Sequence, residues 1–377
     1  MPSDLLVVAG EASGDQHGAE LIRELRQLLP DLSYYGIGGT HLEAQGVDLL
    51  GRSSEVAVVG ITEALKVLPR ARQFFRSVLA EAEQRETKVA VLIDFPEFNL
   101  RLARRLARRG ISVVYYISPQ LWAWRQRRVK TIARVVEDML VLFPFEADFY
   151  HQHGVDATHV GHPLVEQVPE PRTVWDGEPP ESGEFTVALL PGSRASELEK
   201  LLPILCSAAA RLAAKVPTRF LLAQAPTVLD EAITRVLSEV SVPIEVVRAD
   251  RFEAIDSAHL ALCASGTATL EVGLLQTPMI VVYQLSRWTS LVARMLVELP
   301  HYSLVNLVLG APVVPELLQE NSRPETIASE AESILQDPPR VREMVARLGE
   351  LRRILGEPGA SLRAAQAVAR RIAMVEK

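Results

Sequence analysis

Leu5-Leu6-Val7-Val8-Ala9-Gly10-Glu11-Ala12-Ser13-Gly14-Asp15 opens the chain with an unbroken apolar run, a glycine-bearing turn and the start of a helical pattern, Ala19–Leu29. A strand that is apolar at every position is covered on both faces, as in a parallel sheet. Gly10 and Gly14 permit a tight strand-to-helix turn, and the helix start offers free N–H groups to an anion or polar ligand. The spacing is not Gly-x-Gly-x-x-Gly, so a nicotinamide cofactor is not indicated.

Outward from this unit the same alternation recurs. Apolar runs at Val89–Ile93, Ile111–Ile117 and Met139–Phe143 are separated by helical patterns such as Leu100–Arg109 and Val129–Val136. Residues 168–184 break the pattern with four prolines and few apolar side chains, which reads as a linker. The alternation restarts with runs at Phe185–Leu190, Phe220–Ala223, Ile244–Val247, Leu260–Cys263 and Met279–Tyr283, and turns purely helical from about Pro324. The expected class is α/β: two Rossmann-like, doubly wound domains facing across a cleft, with a helical C-terminus. Expected boundaries are residues 1–167, the linker 168–184, a second domain at 185–350, and a final helix, 351–377, packing back on the first domain.

The 377 residues suffice for two such cores. No apolar run reaches the ~20 residues that cross a bilayer, and the start lacks a signal-peptide pattern. Cys206 and Cys263 sit in apolar segments and read as buried side chains in a reducing compartment, so a cytoplasmic location is expected. The net charge is −7, yet residues 61–140 carry sixteen Lys+Arg against eight Asp+Glu. An acidic chain with one basic quarter is no general nucleic-acid binder, but that quarter suits an anionic surface.

Several blocks carry chemistry. Leu190-Pro191-Gly192-Ser193-Arg194 follows the first strand of the second half; Gly192 admits a ligand to the backbone and Arg194 brings a permanent charge for phosphate oxygens. Ala264-Ser265-Gly266-Thr267-Ala268-Thr269-Leu270-Glu271 repeats the strand–turn–helix form, with Glu271 placed for ribose hydroxyls. Together these blocks point to a nucleotide diphosphate. In Ile93-Asp94-Phe95-Pro96-Glu97-Phe98-Asn99 a carboxylate at a strand end suits a general base: Asp94 first, Glu97 as alternative, with Asp94 as a helix cap the plain structural reading. Asp15 likewise reads as a cap or as a site residue.

Tyr116-Ile117-Ser118-Pro119-Gln120-Leu121-Trp122-Ala123-Trp124-Arg125-Gln126-Arg127-Arg128 sets two tryptophans beside three arginines, suited to an interface or an acceptor phosphate. Ile61–Phe75 mixes Leu65, Val67, Leu68, Phe74 and Phe75 with Lys66, Arg70 and Arg72, as in an interfacial helix or one packed on a sheet. Asn306, in a non-helical stretch, could reach a nucleotide. His151, His153, His159 and His162 straddle a helix end and a strand without a paired carboxylate or cysteine, and no Asp-x-Asp occurs, so neither a metal site nor a cofactor is expected.

These blocks resemble the lipid-A-disaccharide synthase family (glycosyltransferase family 19), in order and spacing, from about residue 5 to about residue 375. Trp122-Ala123-Trp124-Arg125 is the most specific of them. The resemblance implies a GT-B fold with the acceptor in the first domain and UDP in the second. It implies inverting transfer of 2,3-diacylglucosamine from UDP-2,3-diacylglucosamine to the 6-hydroxyl of 2,3-diacylglucosamine 1-phosphate (lipid X). Asp94 would be the base; Gly192, Ser193, Arg194, Ser265, Gly266, Thr267, Glu271 and Asn306 would hold the donor. Glu11, Ser13, Asp15, Glu97, Asn99, Trp122, Trp124 and Arg125 would line the acceptor side or cleft. Glu97 stands where the family pattern has Asp, which puts its direct role in doubt. Acylated substrates imply a peripheral place on the inner face of the inner membrane, and a homodimer through the last helix is the expected assembly. Competing readings are a UDP-GlcNAc epimerase or GlcNAc transferase on the same scaffold, or a non-catalytic UDP-sugar sensor.

Overall fold

All five residues of the first strand, β1 (Leu5–Ala9), are buried, because neighbours pair on both sides of it and helices cover both faces. The computed structural model describes residues 4–55, 61–123, 126–225, 230–284 and 301–376, without the side chains of 61–68, 195 and 196. Two compact units result, Met1–Pro163 with Gly356–Lys377, and Leu164–Leu355.

The first unit runs β1, α1 (Ala12–Leu28), β2 (Tyr34–Gly38), α2 (Thr40–Ala44), β3 (Asp48–Arg52), α3 (Ile61–Gln84), β4 (Val89–Ile93), α4 (Pro96–Ala107), β5 (Ser112–Tyr116), α5 (Val129–Val135), β6 (Asp138–Val141), α6 (Pro144–Gln152) and β7 (Ala157–His159). Its seven strands are all parallel in the order β3-β2-β1-β4-β5-β6-β7. One sheet face packs Leu6, Val8, Leu92, Val113 and Tyr115 against Phe74 and Val78 of α3, Leu102 of α4 and Ile132 of α5. Each fully buried aliphatic or aromatic side chain there contributes about 1.5–3 kcal/mol.

The second unit runs α7 (Leu164–Gln167), β8 (Phe185–Leu190), α8 (Ala195–Ala213), β9 (Thr218–Ala223), α9 (Asp230–Leu237), β10 (Ile244–Val247), α10 (Arg251–Asp256), β11 (Leu260–Ala264), α11 (Ala268–Leu274), β12 (Met279–Tyr283), α12 (Leu304–Leu309), β13 (Glu316–Leu318), α13 (Pro324–Leu335), α14 (Pro338–Leu348) and α15 (Leu351–Leu355). Its six parallel strands take the order β10-β9-β8-β11-β12-β13. Residues 168–184 lie in this unit: the Arg172 N–H bonds Asp256 at 3.2 Å, and the Trp175 ring meets His259 at 5.2 Å.

The last helix, α16 (Ala360–Val375), belongs to the first unit. It lies on α1 through Ala360, Ala364, Ala365 and Val368, small residues that let two helices approach closely. Arg371 pins its end to Asp138 at 2.6 Å. Among the described residues no helix is long and apolar enough to cross a membrane.

Four strands escape the apolar pattern. β2 carries Gly36, where a Cβ would sit 1.8 Å from the Val7 carbonyl oxygen, so packing forbids the side chain that would have signalled a strand. β3 is a half-exposed edge strand, and β7 and β13 have three residues each.

Candidate active site

In both sheets the chain order reverses between two neighbouring strands, β1/β4 in one and β8/β11 in the other. Ligands of doubly wound sheets bind beyond the strand carboxyl ends at such a point. Every block singled out in the sequence for a turn lies at one of these places or next to it.

In the first unit, the turn after β1 meets the turn after β4. Phe95 lies so close over Gly10 that a Cβ there would fall 2.1 Å from its ring. Asp94 and Phe95 are both left-handed, φ 46° and 47°, which is unusual outside glycine and costs of order 1–3 kcal/mol each. The surroundings enforce it. The Asp94 N–H donates to the Tyr116 carbonyl at 3.0 Å, while the Asp94 carbonyl accepts from the Tyr115 hydroxyl at 2.6 Å and the Asn99 amide at 2.8 Å. Burial, reinforced by the charge of Glu11, pushes the Asp94 carboxyl up to about 6; the Phe95 N–H and His17 oppose this. At neutral pH it is still ionised, and it is more basic than a free aspartate. That suits a general base. Glu11 and Ser13 are exposed at the start of α1 beside it.

Two expected site residues are occupied elsewhere. Asp15 is buried and accepts from the N–H groups of Gly39 (2.6 Å), His41 (2.9 Å) and Leu42 (3.2 Å), so it caps α2, a partner far away in sequence. Asn99 is fully buried; its amide ties Ile93 and Asp94 carbonyls, which supports the turn from beneath. Glu97 is exposed and pairs with Arg128 at 2.7 Å. Trp122 is half-buried, edge-on to Phe145. Trp124 and Arg125 lie outside the described residues, as do the side chains of Leu65, Lys66, Val67 and Leu68. Phe74 is buried in the core, and Phe75 packs against it, so this end of α3 serves the sheet.

In the second unit, the turns after β8 and β11 are neighbours. Gly192 has φ +110°, and a Cβ there would fall 2.5 Å from a Glu197 carboxylate oxygen. That carboxylate accepts from the Ser193 N–H at 3.3 Å and from Arg194 at 3.2 Å. The Arg194 side chain is 68% exposed, and a surface pair of this kind holds it by well under about 1 kcal/mol. Ser265 and Gly266 are half-buried and Thr267 is exposed; a Cβ on Gly266 would meet nothing within 4 Å among the described residues. Glu271 is buried: one carboxylate oxygen accepts from Arg251 at 2.6 Å, and the other has no hydrogen-bond partner among the described residues. Asn306, expected in a non-helical stretch, is buried in α12 instead. Its side chain is saturated, donating to the Val314 carbonyl and Glu316 at 2.9 Å each and accepting from the Val314 N–H at 3.0 Å. It holds the connection into β13.

With this geometry, the comparisons with known proteins are decisive. A profile of the family described as Lipid-A-disaccharide synthetase matches residues 5–370. The chain belongs to the lipid-A-disaccharide synthase family. It is 46% identical over 372 residues to the lipid-A-disaccharide synthase of Myxococcus xanthus, covering 97% of each chain. It is 43% identical over 372 residues to that of Anaeromyxobacter dehalogenans, covering 98% of this chain and 97% of the relative. Like the family it is a glycosyltransferase of lipid A biosynthesis. Solved structures with the same fold include MurG of Acinetobacter baumannii (TM-score 0.60, 14% identity, 97% and 99% of the two chains) and the calicheamicin glycosyltransferase CalG4 (TM-score 0.61, 17% identity, 100% and 99%). At such identities they show the GT-B fold alone.

Residue patterns overlooked Glu146, Arg251 and Tyr115, whose partners come from other elements. Only Glu146 left a local trace, as the third helical residue of Phe143-Pro144-Phe145-Glu146, where a glutamate closes back on the preceding N–H.

Proposed function

We propose that the chain transfers 2,3-diacylglucosamine from UDP-2,3-diacylglucosamine to the 6-hydroxyl of lipid X by a single inverting displacement. The observation that carries this is Asp94, an ionised, basic carboxyl on a strained and pinned turn at the β1/β4 reversal. In this reading Asp94 takes the proton as the hydroxyl oxygen attacks the anomeric carbon, and the UDP oxygen leaves with the electron pair of the cleaved bond. The acceptor side includes Glu11, Ser13 and Trp122.

Donor binding falls to Gly192, Ser193, Arg194, Ser265, Gly266, Thr267 and Glu271. Arg194 is free to leave Glu197 for a phosphate, and the unpartnered oxygen of Glu271 suits a ribose hydroxyl. Charge on the departing diphosphate is met by Arg194 and backbone N–H groups, without a metal. Among the described residues no group of three or more His, Cys, Asp or Glu could hold a metal ion.

Both substrates carry acyl chains, so the protein works at the anionic inner face of the inner membrane. Support comes from a groove of about 350 Å³ between α4 and α5, lined by Arg104, Arg108 and Arg134. Neither these nor Arg101, Arg105 and Lys130 form an ion pair among the described residues, whereas Arg128 and Arg371 in the same unit do. Exposed cations left together in an acidic chain suit lipid phosphates. A homodimer through α16 would draw on Leu362 and Met374, 38% and 64% exposed, because the opposite helix face is buried on α1. The test of the reaction is mass-spectrometric detection of disaccharide 1-phosphate from the two acylated substrates with EDTA present. Absence of product with the wild type would overturn the reading.

A further inference from the structure

We propose that Glu146 is a positioning residue for acceptor binding: through Ser118 and Trp122 it holds the turn after β5 in the arrangement that presents the Trp122 indole to the acceptor. This rests on the reading that the acceptor lies on the first unit.

The turn begins under strain. Ile117 is left-handed, φ 64°, a conformation that β-branched residues avoid. Its N–H donates to the Leu140 carbonyl at 3.0 Å, which extends the β5/β6 pairing by one residue. Beyond it the described residues of the turn make two backbone hydrogen bonds of their own, Leu121 N–H to Pro119 (2.6 Å) and Ala123 N–H to Gln120 (3.1 Å). Side chains must therefore fix the turn.

Glu146 supplies that fixation. It lies in the first turn of α6 and is 3% exposed. One carboxylate oxygen accepts from the Ser118 hydroxyl at 3.0 Å and from the Trp122 ring N–H at 3.1 Å; the other accepts from the Phe143 N–H at 3.2 Å. No lysine, arginine or histidine pairs with it among the described residues. Burial pushes its carboxyl up to about 7, against the pull of these donors. A buried carboxyl without a cation is costly, so its donors must matter. A helix cap would need only the bond to Phe143. The second oxygen gathers two donors from both ends of the Ser118–Trp122 turn, and Trp122 is also gripped edge-on by Phe145, ring centroids 5.0 Å apart. The indole is thus held at its N–H and against the Phe145 ring.

The test is a kinetic cycle on the full-length chain with donor and acceptor varied separately: wild type, Glu146→Gln, Trp122→Phe and the double variant. A glutamine must turn its NH2 toward at least one of the donors and leave that donor unpaired. Glu146→Gln is expected to raise KM for the acceptor about tenfold, with KM for the UDP-sugar unchanged. Trp122→Phe is expected to do the same, and the double variant to be no worse than Trp122→Phe alone. Glu146→Asp, too short to reach both ends of the turn, should not restore the acceptor KM. If Glu146→Gln fails to fold, Ser118→Ala replaces it in the same cycle with an expected rise of about threefold. An acceptor KM unmoved by Glu146→Gln, or effects that add in full, would overturn the proposal while Trp122→Phe still acts. An acceptor KM unmoved by Trp122→Phe would overturn the acceptor assignment together with it.

Discussion

Asp94 and Glu146 are two carboxyls raised by burial in one unit, and they make separate predictions. Asp94 has to be ionised to act as the base, and its carboxyl lies at about 6. The pH profile of kcat/KM should therefore climb about tenfold per unit below pH 6 and level off above it; a profile still flat at pH 5 would exclude Asp94 as the base. Glu146, besides positioning the acceptor turn, makes stability depend on pH. Its folded value of about 7 exceeds the ordinary 4.5, so the folded chain keeps a proton that the unfolded chain has lost between those values. Its contribution is present below about pH 4.5 and lost as pH rises through 7. Glu146→Gln removes this slope, so the Tm of the variant minus that of the wild type should increase from pH 5 to pH 8. Burial lowers His159, His162 and His259, which acts in the opposite direction but equally in both proteins. A pH-independent difference would show that Glu146 does not titrate there. At this scale the sequence was legible where chemistry is local. Asp94 directly follows an apolar strand, so its place at a strand end could be read. Asp15 could not be assigned, because it spends its side chain on backbone 24 to 27 residues away that only the fold brings near; Asn99 and Asn306 spend theirs mainly within ten residues, on turns whose shape the pattern does not give.

Turns and helices carry the next level of prediction. The Gly10 backbone is roofed by Phe95, so Gly10→Ala must displace that ring and the left-handed Asp94–Phe95 turn with it. It should lower kcat by about a hundredfold while UDP binding to the other unit, followed by calorimetry, stays intact. Full activity in Gly10→Ala would show that the turn tolerates movement. The α4–α5 groove predicts a different effect. Replacing Arg104, Arg108 and Arg134 with Glu should weaken sedimentation with vesicles rich in anionic phospholipid about tenfold or more, and barely affect the already weak binding to neutral vesicles. Equal binding of wild type and variant to anionic vesicles would remove the groove as a docking surface. The central strands, β1, β4, β8 and β11, were readable because burial on both faces requires apolar residues throughout. β2 was hidden by Gly36, whose missing side chain is what lets the neighbouring strand approach.

For the whole molecule, two reversal points in two parallel sheets put a strained, carboxyl-bearing turn on one unit and an arginine-bearing pair of turns on the other. The two sheets appear in the sequence as an alternation that stops near residue 168 and begins again at Phe185. What it could not reveal is that residues 168–184 pack into the second unit, or that Arg371 of the last helix reaches Asp138 in the first. Those contacts join residues more than eighty positions apart, beyond any local pattern. The proposed reaction joins the two acylated sugars with Asp94 as base and without a metal. Its most direct test is single-turnover conversion of UDP-2,3-diacylglucosamine and lipid X in detergent micelles with EDTA, for the wild type and Asp94→Asn. Disaccharide 1-phosphate and UDP are expected from the wild type, and a rate at least about a hundredfold lower from Asp94→Asn with UDP still bound. Equal rates from the two proteins, or no product from the wild type, would contradict it.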